Sequence, residues 1–294
     1  MIDVSVIIVN YNTIDLLRDA IASVIEKTVG VNYEIIVVDN DSDDNSEIII
    51  NEEFPIVRYI KLPTNIGFGR ANNEGIKIAN GRNIFCLNPD TELKNNAIKI
   101  LSDYIDSNAG VGMVGAQLFF RDGSYQRSYK LNRPSIGRLL KRLFFITKFE
   151  KNVETFFVPT KVAAVTGAAM MTRCEIATAT GSFNPAIFMY AEDDEWCYRI
   201  EKLGYSIMFI PDAQISHYDG GSFNDSEERM ARIYEGNDTY LSCMYSSFYV
   251  KCYLLLYSVL ILFNLLCFKL VGNSKAQREW NSLYKYYITK ELKK

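Results

Sequence analysis

Val4-Ser5-Val6-Ile7-Ile8-Val9, followed at once by Asn10-Tyr11-Asn12-Thr13, decides how this chain folds. A nearly continuous β-branched run is the signature of a strand buried on both faces, and the polar break after it marks a loop. A helical spacing of apolar residues follows from Leu16 to Val24, and Glu34-Ile35-Ile36-Val37-Val38 then repeats the strand pattern and stops at Asp39. Asn40 to Ser46 is rich in turn and helix-capping residues. Strand, loop, helix and strand in that order predict a βαβ unit with a parallel sheet.

Working outward, short strands are expected at Val57–Ile60 and Asn83–Leu87, with a helix from Ala71 to Ala79 between them. The first ninety or so residues thus read as a Rossmann-like nucleotide-binding half of an α/β protein. Later strands, expected at Gly112–Phe119, Ala163–Met171 and Ser206–Ile210, complete a mixed central sheet. Three acidic stretches end or interrupt apolar runs: Asp39, Asn88-Pro89-Asp90 and Glu192-Asp193-Asp194-Glu195. Open α/β sheets hold ligands in the crevice at the carboxyl ends of their strands, so acids placed there belong to a site.

With 294 residues, 48% of them hydrophobic, the chain has material for one large domain with an appendage. A net charge of -3 argues against a nucleic-acid partner, whose footprint would be basic. Six cysteines form no C-x-x-C pair and read as buried free thiols, and Met1-Ile2-Asp3-Val4 carries neither a basic run nor a long apolar segment. No secretory leader is expected, and the setting reads as reducing and cytoplasmic. No P-loop or H-E-x-x-H string is present, which removes ATPase and zinc-protease readings.

Two segments lie outside this scheme. Residues 138 to 148 alternate bases with large apolar groups, as an interfacial helix does, and a surface helix with one buried stripe has the same pattern. Tyr253 to Phe268 is almost wholly apolar between Lys251 and Lys269. Its sixteen residues are short of the roughly 20 a membrane span needs. Three readings stay open for it: packing on the domain or a second subunit, lying in a membrane interface, or spanning. A division at residue 235 into a main domain and a C-terminal helical segment, 236–294, is expected, the latter membrane-associating or dimerising.

Each site residue also has a plainer reading. Pro89 stops the ladder and presents Asp90, but Asn88-Pro89-Asp90-Thr91 would equally serve as a turn capping a helix from Leu93. Asp39 would serve as a helix cap, and the acids of residues 192–195 would complement a helix dipole. A lone histidine, His217, is more often structural than a ligand.

The company these stretches keep is what gives them meaning. Val4–Asn12, Ile36-Val37-Val38-Asp39-Asn40, Asn65-Ile66-Gly67-Phe68-Gly69-Arg70-Ala71-Asn72-Asn73, Leu87–Asp90, Gly167-Ala168-Ala169-Met170-Met171, Phe188–Arg199 and His217 with Gly220-Gly221-Ser222 resemble, in order, the family 2 glycosyltransferases of GT-A fold. The look is closest to bacterial rhamnosyltransferase-like members, and the resemblance covers about residues 3 to 225.

It implies an inverting transfer of a sugar from a dTDP- or UDP-sugar to a hydroxyl of a glycan or lipid-linked glycan, with Mg2+ or Mn2+ as cofactor. It also implies donor contacts from Val9, Asn10, Tyr11, Asp39, Asn65, Arg70, Asn88 and Asp90, with Asp39 accepting the base N–H. Metal contacts would come from Asp90 and His217, and a general base from Asp193 beside Glu192. Asn88 stands where other members carry a second Asp, Asp194 where an apolar residue is common, and Glu195 where an Asp is usual. Asp194 and Glu195 would tend to raise a carboxyl pKa in the cluster by crowding.

A lipid-linked acceptor would suit a peripheral enzyme at the inner face of the cell membrane, and a homodimer is compatible with the apolar tail. Two other classes share such a fold: a sugar nucleotidyltransferase, which would carry a Gly-rich basic loop where Asn10–Asp15 stands, and a non-catalytic glycan-binding or scaffold protein. A processive synthase would need several spans and a Q-x-x-R-W, which Gln277-Arg278-Glu279-Trp280 does not supply.

Overall fold

A computed structural model describes residues 1–143, 156–218 and 226–271 of the chain. The described chain divides into two compact units: Met1–Asn132 with Glu154–Asn224, and Arg133–Val153 with Asp225–Lys294.

The first unit opens with β1 (Val4–Asn10), α1 (Ile14–Lys27), β2 (Tyr33–Asp39), α2 (Ser46–Glu53), β3 (Arg58–Lys61), α3 (Phe68–Ile78) and β4 (Asn83–Leu87). These four strands are parallel, in the order β3-β2-β1-β4. Every residue of β1 is buried. Val4, Val6 and Ile8 point into a core with Leu17, Ile21 and Val24 of α1, whereas Ile7 and Val9 point to the other face, toward Ala71 of α3. A side-chain period of two delivers apolar groups to both faces, at roughly 1.5 to 3 kcal/mol for each fully buried one.

Next come β5 (Thr91–Leu93), α4 (Ala97–Ser107) and β6 (Val111–Phe119), then the short β7 (Tyr125–Gln126) and β8 (Tyr129–Lys130). The second unit interrupts here with α5 (Ile136–Leu143), after which β9 (Thr160–Val162), β10 (Ala164–Val165), β11 (Ala169–Arg173), α6 (Cys174–Thr180), α7 (Glu192–Lys202) and β12 (Ser206–His217) complete the first. The second unit ends with α8 (Ser226–Met244) and α9 (Ser247–Val271).

The large sheet continues from β4 through β11, β6, β12 and β5. Because β11 is antiparallel to both β4 and β6, and β12 is parallel to β6, the strands β6 and β12 run in the sense of β1 to β4. Their carboxyl ends, Phe119 and His217, therefore open on the same edge as Asn10, Asp39 and Leu87.

Several boundaries differ from the sequence reading. Thr91–Leu93 is a strand paired with β12, not the start of a helix, and the helix begins at Ala97. The single strand expected at Ala163–Met171 is split, since Thr166 to Ala168 break it and the chain changes sheets between β10 and β11. β12 reaches His217 across an irregularity: Ile210 pairs with Ala116 and Gln214 with Gln117, leaving Pro211, Asp212 and Ala213 unpaired with β6, as a proline inside a ladder requires. The cysteines are not uniformly buried: Cys86 and Cys197 are, Cys174 and Cys252 are half-buried, and Cys243 is exposed. α9 is longer than the sixteen-residue run, because Tyr249, Val250, Leu270 and Val271 extend its apolar character; Ser247–Leu265 is long and apolar enough by composition to cross a membrane.

Candidate active site

The loops after β1 and β2 are stitched together by side chains. Asn10 and Asp39 are register neighbours, and Asn10 Nδ2 lies 2.9 Å from Asp39 Oδ2, 3.0 Å from Ser42 Oγ and 2.8 Å from Ser46 Oγ. Its Oδ1 accepts from Thr13 Oγ1 at 2.8 Å. The Asn12 amide donates to Ser42 Oγ, the Asp43 amide to Asn12 Oδ1 and the Ile14 amide to Asp44 Oδ2, so that an acid from one loop caps the helix of the other.

Asp39 is 0% exposed. It accepts from Asn10, from Tyr59 Oη at 2.7 Å and from the Ser42 amide at 2.7 Å. Burial and this bond push the Tyr59 hydroxyl well above its ordinary pKa. As it stands, the Asp39 carboxylate serves the loop and faces no open space, which differs from the expected direct contact with a base N–H. The next residue, Asn40, donates to Asn65 Oδ1 at 2.9 Å and accepts from the Ile66 amide at 2.9 Å. Asn65 also takes the Gly67 amide at 3.0 Å.

Gly67 has φ 89°, and a Cβ there would lie 2.3 Å from the Phe188 carbonyl oxygen, to which the Phe68 amide donates at 3.0 Å. The start of α3 is thus clamped to the segment before α7. Arg70 Nε donates to the Pro185 carbonyl at 2.6 Å, and Asn73 exchanges bonds with the Phe183 backbone. Val9 and Asn10 are buried, and Tyr11 is at the surface.

The β4 end carries the second group. The Asn88 amide donates to Ala168 O at 2.9 Å, and the Gly167 amide donates to Asp193 Oδ2 at 3.0 Å. Two backbone-amide bonds therefore link the Asn88-Pro89-Asp90 turn, the Thr166–Ala168 break and Asp193. His217 arrives by register: it pairs with Thr91, and the Tyr218 amide donates to Asp90 O at 2.9 Å. Its Nε2 sits 3.4 Å from Asp90 Oδ1, while Nδ1 lies 3.0 Å from Gln126 Oε1.

With Nδ1–H donated to the Gln126 oxygen, Nε2 is the nitrogen that faces the Asp90 carboxylate. Asp90 Oδ1 and Asn88 Oδ1 are buried and accept no hydrogen bond. A buried carboxylate oxygen without a hydrogen-bond donor, beside an imidazole nitrogen, fits a hard cation with few protein ligands and room for diphosphate oxygens. Among the described residues no cluster of three or more His, Cys, Asp or Glu would hold a metal unaided.

The acidic helix α7 follows two consecutive non-glycine residues in the left-handed region, Tyr190 and Ala191, each with φ 68°. Such strain, of order 1 to 3 kcal/mol apiece, persists where the surroundings fix the backbone, and here it aims the first turn of α7. Its four acids have different fates. Asp194 is buried and paired with Lys130, and Glu195 is buried against Arg199, whose guanidinium also donates to the carbonyls of Thr180 and Ser182. Both are thereby neutralised.

Asp193 remains partly exposed. Glu192 is buried, its Oε2 accepts no bond, and its pKa is pushed up to about 8, chiefly by burial and then by the Asp193 charge. The crowding expected from Asp194 and Glu195 is thus minor, and the raised carboxyl is Glu192. Lys130, Gln126 and Tyr59 went unnoticed in the sequence because no local pattern marks them. Gly220-Gly221-Ser222 lies outside the described residues.

An open sheet with this strand order, its acids gathered on one carboxyl edge, is the architecture of a GT-A glycosyltransferase. The model of glycosyl transferase family 2 matches residues 5–178, and the chain belongs to that family. It is similar to the low-salt glycan biosynthesis hexosyltransferase Agl10 of Haloferax volcanii, at 27% identity over 70% of this chain and 64% of the relative. It is also similar to the dTDP-rhamnosyl transferase RfbF of Shigella flexneri, at 25% identity over 63% of this chain and 60% of the relative. In structure it matches GalNAc-T7 with UDP, GalNAc and Mn2+ at TM-score 0.60 and 19% identity, over 82% of this chain and 50% of that one. The chain spans less than two thirds of the length of these relatives, and of other curated relatives as little as 16%.

Proposed function

We propose that this family 2 enzyme is an inverting glycosyltransferase of surface polysaccharide synthesis. It would move a sugar from a dTDP- or UDP-sugar to a hydroxyl of a glycan or lipid-linked glycan at the inner face of the membrane. The observation that carries the reading is the buried, unpaired Oδ1 of Asp90 lying 3.4 Å from His217 Nε2, just after the strand end whose Asn88 amide bonds to the Ala168 carbonyl beside the Gly167 amide that holds Asp193. Asp90, His217 and Asn88 would hold Mg2+ or Mn2+, which when bound neutralises charge on the diphosphate as it departs.

The chain's own residues do the rest. Asp193, held by the Gly167 amide on one oxygen and by the Asp194 amide on the other, with the side chain partly exposed, takes the proton of the acceptor hydroxyl on a remaining lone pair as the hydroxyl oxygen closes on the anomeric carbon. A single displacement inverts the configuration. Glu192, protonated near neutral pH, is unsuited to act as base there, which favours Asp193. Asp39 would act on the nucleobase through the loop that it holds, with Asn40 and Asn65 shaping the pocket, and Arg70 and Tyr11 standing at its rim.

The test is Asp193→Asn assayed with dTDP- and UDP-sugars and Mn2+. Turnover should fall about 10²- to 10⁴-fold, while the rise in melting temperature caused by nucleoside diphosphate is kept. A non-catalytic scaffold would show no turnover to lose. A nucleotidyltransferase would release pyrophosphate from a nucleoside triphosphate.

A further inference from the structure

The second unit holds a surface that the transfer reaction does not use. Within it, Leu139 of α5, Leu241 of α8, and Tyr253 and Leu260 of α9 form a small core. Tyr249 Oη accepts from the Ile136 amide at 2.9 Å, and Tyr245 Oη donates to Pro134 O at 2.5 Å, tying the start of α9 to the segment entering α5. One side of α9 is therefore committed to its own unit.

The other side is not. Phe248, Leu255, Val259 and Leu262 are 79%, 70%, 46% and 47% exposed. At 3.6 residues per turn these four fall within an arc of about 60°, opposite Tyr253, Leu260 and Ile261, and form a stripe about 21 Å long. Exposed Lys251 borders it. Between them, α5 and α9 carry Arg138, Lys141, Arg142, Lys251 and Lys269 and no acid.

We propose that this stripe docks on an anionic lipid bilayer, with α9 lying along the surface and its outer face sunk into the interface. Apolar anchoring beside the exposed Lys141 and Lys251 matches a headgroup layer that is negative above hydrocarbon. A second copy fits less well, since a two-fold contact sets the same surface against itself and brings like charges together. A spanning helix fits less well too, because it would carry the basic α5, packed along it, into hydrocarbon. The inference deepens the membrane setting proposed above. Measured without donor or acceptor, it stands or falls apart from glycosyl transfer.

The experiment is flotation of the full chain with phosphatidylcholine vesicles, with and without phosphatidylglycerol. Binding should be roughly tenfold or more tighter with the anionic lipid, should weaken at high salt, and should be lost in Leu255→Glu, whose site is at the surface and leaves the fold intact. The emission added by Phe248→Trp, Leu255→Trp or Leu262→Trp over that of the native Trp196 and Trp280 should be quenched by lipid-borne quenchers at one shallow depth. Equal binding to both vesicle types, indifference to Leu255→Glu, graded tryptophan depths reaching the bilayer centre, or a lipid-free dimer dissolved by Leu255→Glu would each overturn the proposal.

Discussion

Replacing Glu192 by Gln should change how the stability of this protein depends on pH. The carboxyl titrates from 4.5 in the unfolded chain and at about 8 in the fold, raised chiefly by burial and then by Asp193. Between those values the folded state binds the extra proton, so stability is greatest at the acid end and declines as pH rises toward 8. The limiting slope is about 1.36 kcal/mol per pH unit. From about pH 5.5 to about pH 7.5 this one group should therefore remove roughly 2 kcal/mol. Glu192→Gln keeps the shape and cannot ionise, so the difference between the two proteins carries the titration of Glu192 together with its coupling to Asp193. Urea unfolding at several pH values then isolates the term: the mutant should gain on the wild type steadily as pH rises. If the two curves run parallel, Glu192 is ionised at neutral pH and the assignment of the base to Asp193 loses its electrostatic support.

Asp90→Asn should weaken Mn2+-dependent binding of nucleoside diphosphate by about tenfold or more in calorimetry, with little change in metal-free binding. Tyr59→Phe should cost about 1 to 3 kcal/mol in urea unfolding, because the buried Asp39 carboxylate loses a donor. Gly67→Ala should cost at least about 2 kcal/mol by thermal melting, combining a strained φ with a Cβ placed 2.3 Å from Phe188 O. A neutral outcome there would mean that the clamp between α3 and the segment before α7 is slack.

The parallel half was legible in the sequence because a strand buried on both faces needs an unbroken apolar run, as Val4–Val9 and Ile35–Val38 supply. Asp90 and the acids of residues 192–195 stood out as ending apolar runs, and Asp193 was singled out among the latter by the family resemblance alone. What the sequence could not show was pairing across distance. Lys130 reaches Asp194 from 64 residues away, and Gln126 meets His217 from 91, with no periodicity to announce either. β5 was missed because three residues after a proline turn leave no room for a pattern. The fate of Asp39 was hidden for a similar reason, since Tyr59 belongs to a strand whose own residues are only half-buried. The four acids at the head of α7 read as one cluster, and only the geometry separates two that pair with bases, one buried with its pKa raised and one partly exposed and held by two backbone amides.

The break in pairing at Pro211–Ala213 makes β12 uneven in its tolerance of length change. A residue inserted within the break is taken up by a stretch that already stands clear of β6. One inserted between Gln214 and His217 reverses the alternation of the remaining strand and swings the imidazole to the far side of the sheet. Natural variation in strand length among relatives should accordingly collect on the near side of Gln214, and a chain altered beyond it should keep its fold while parting the imidazole from Asp90.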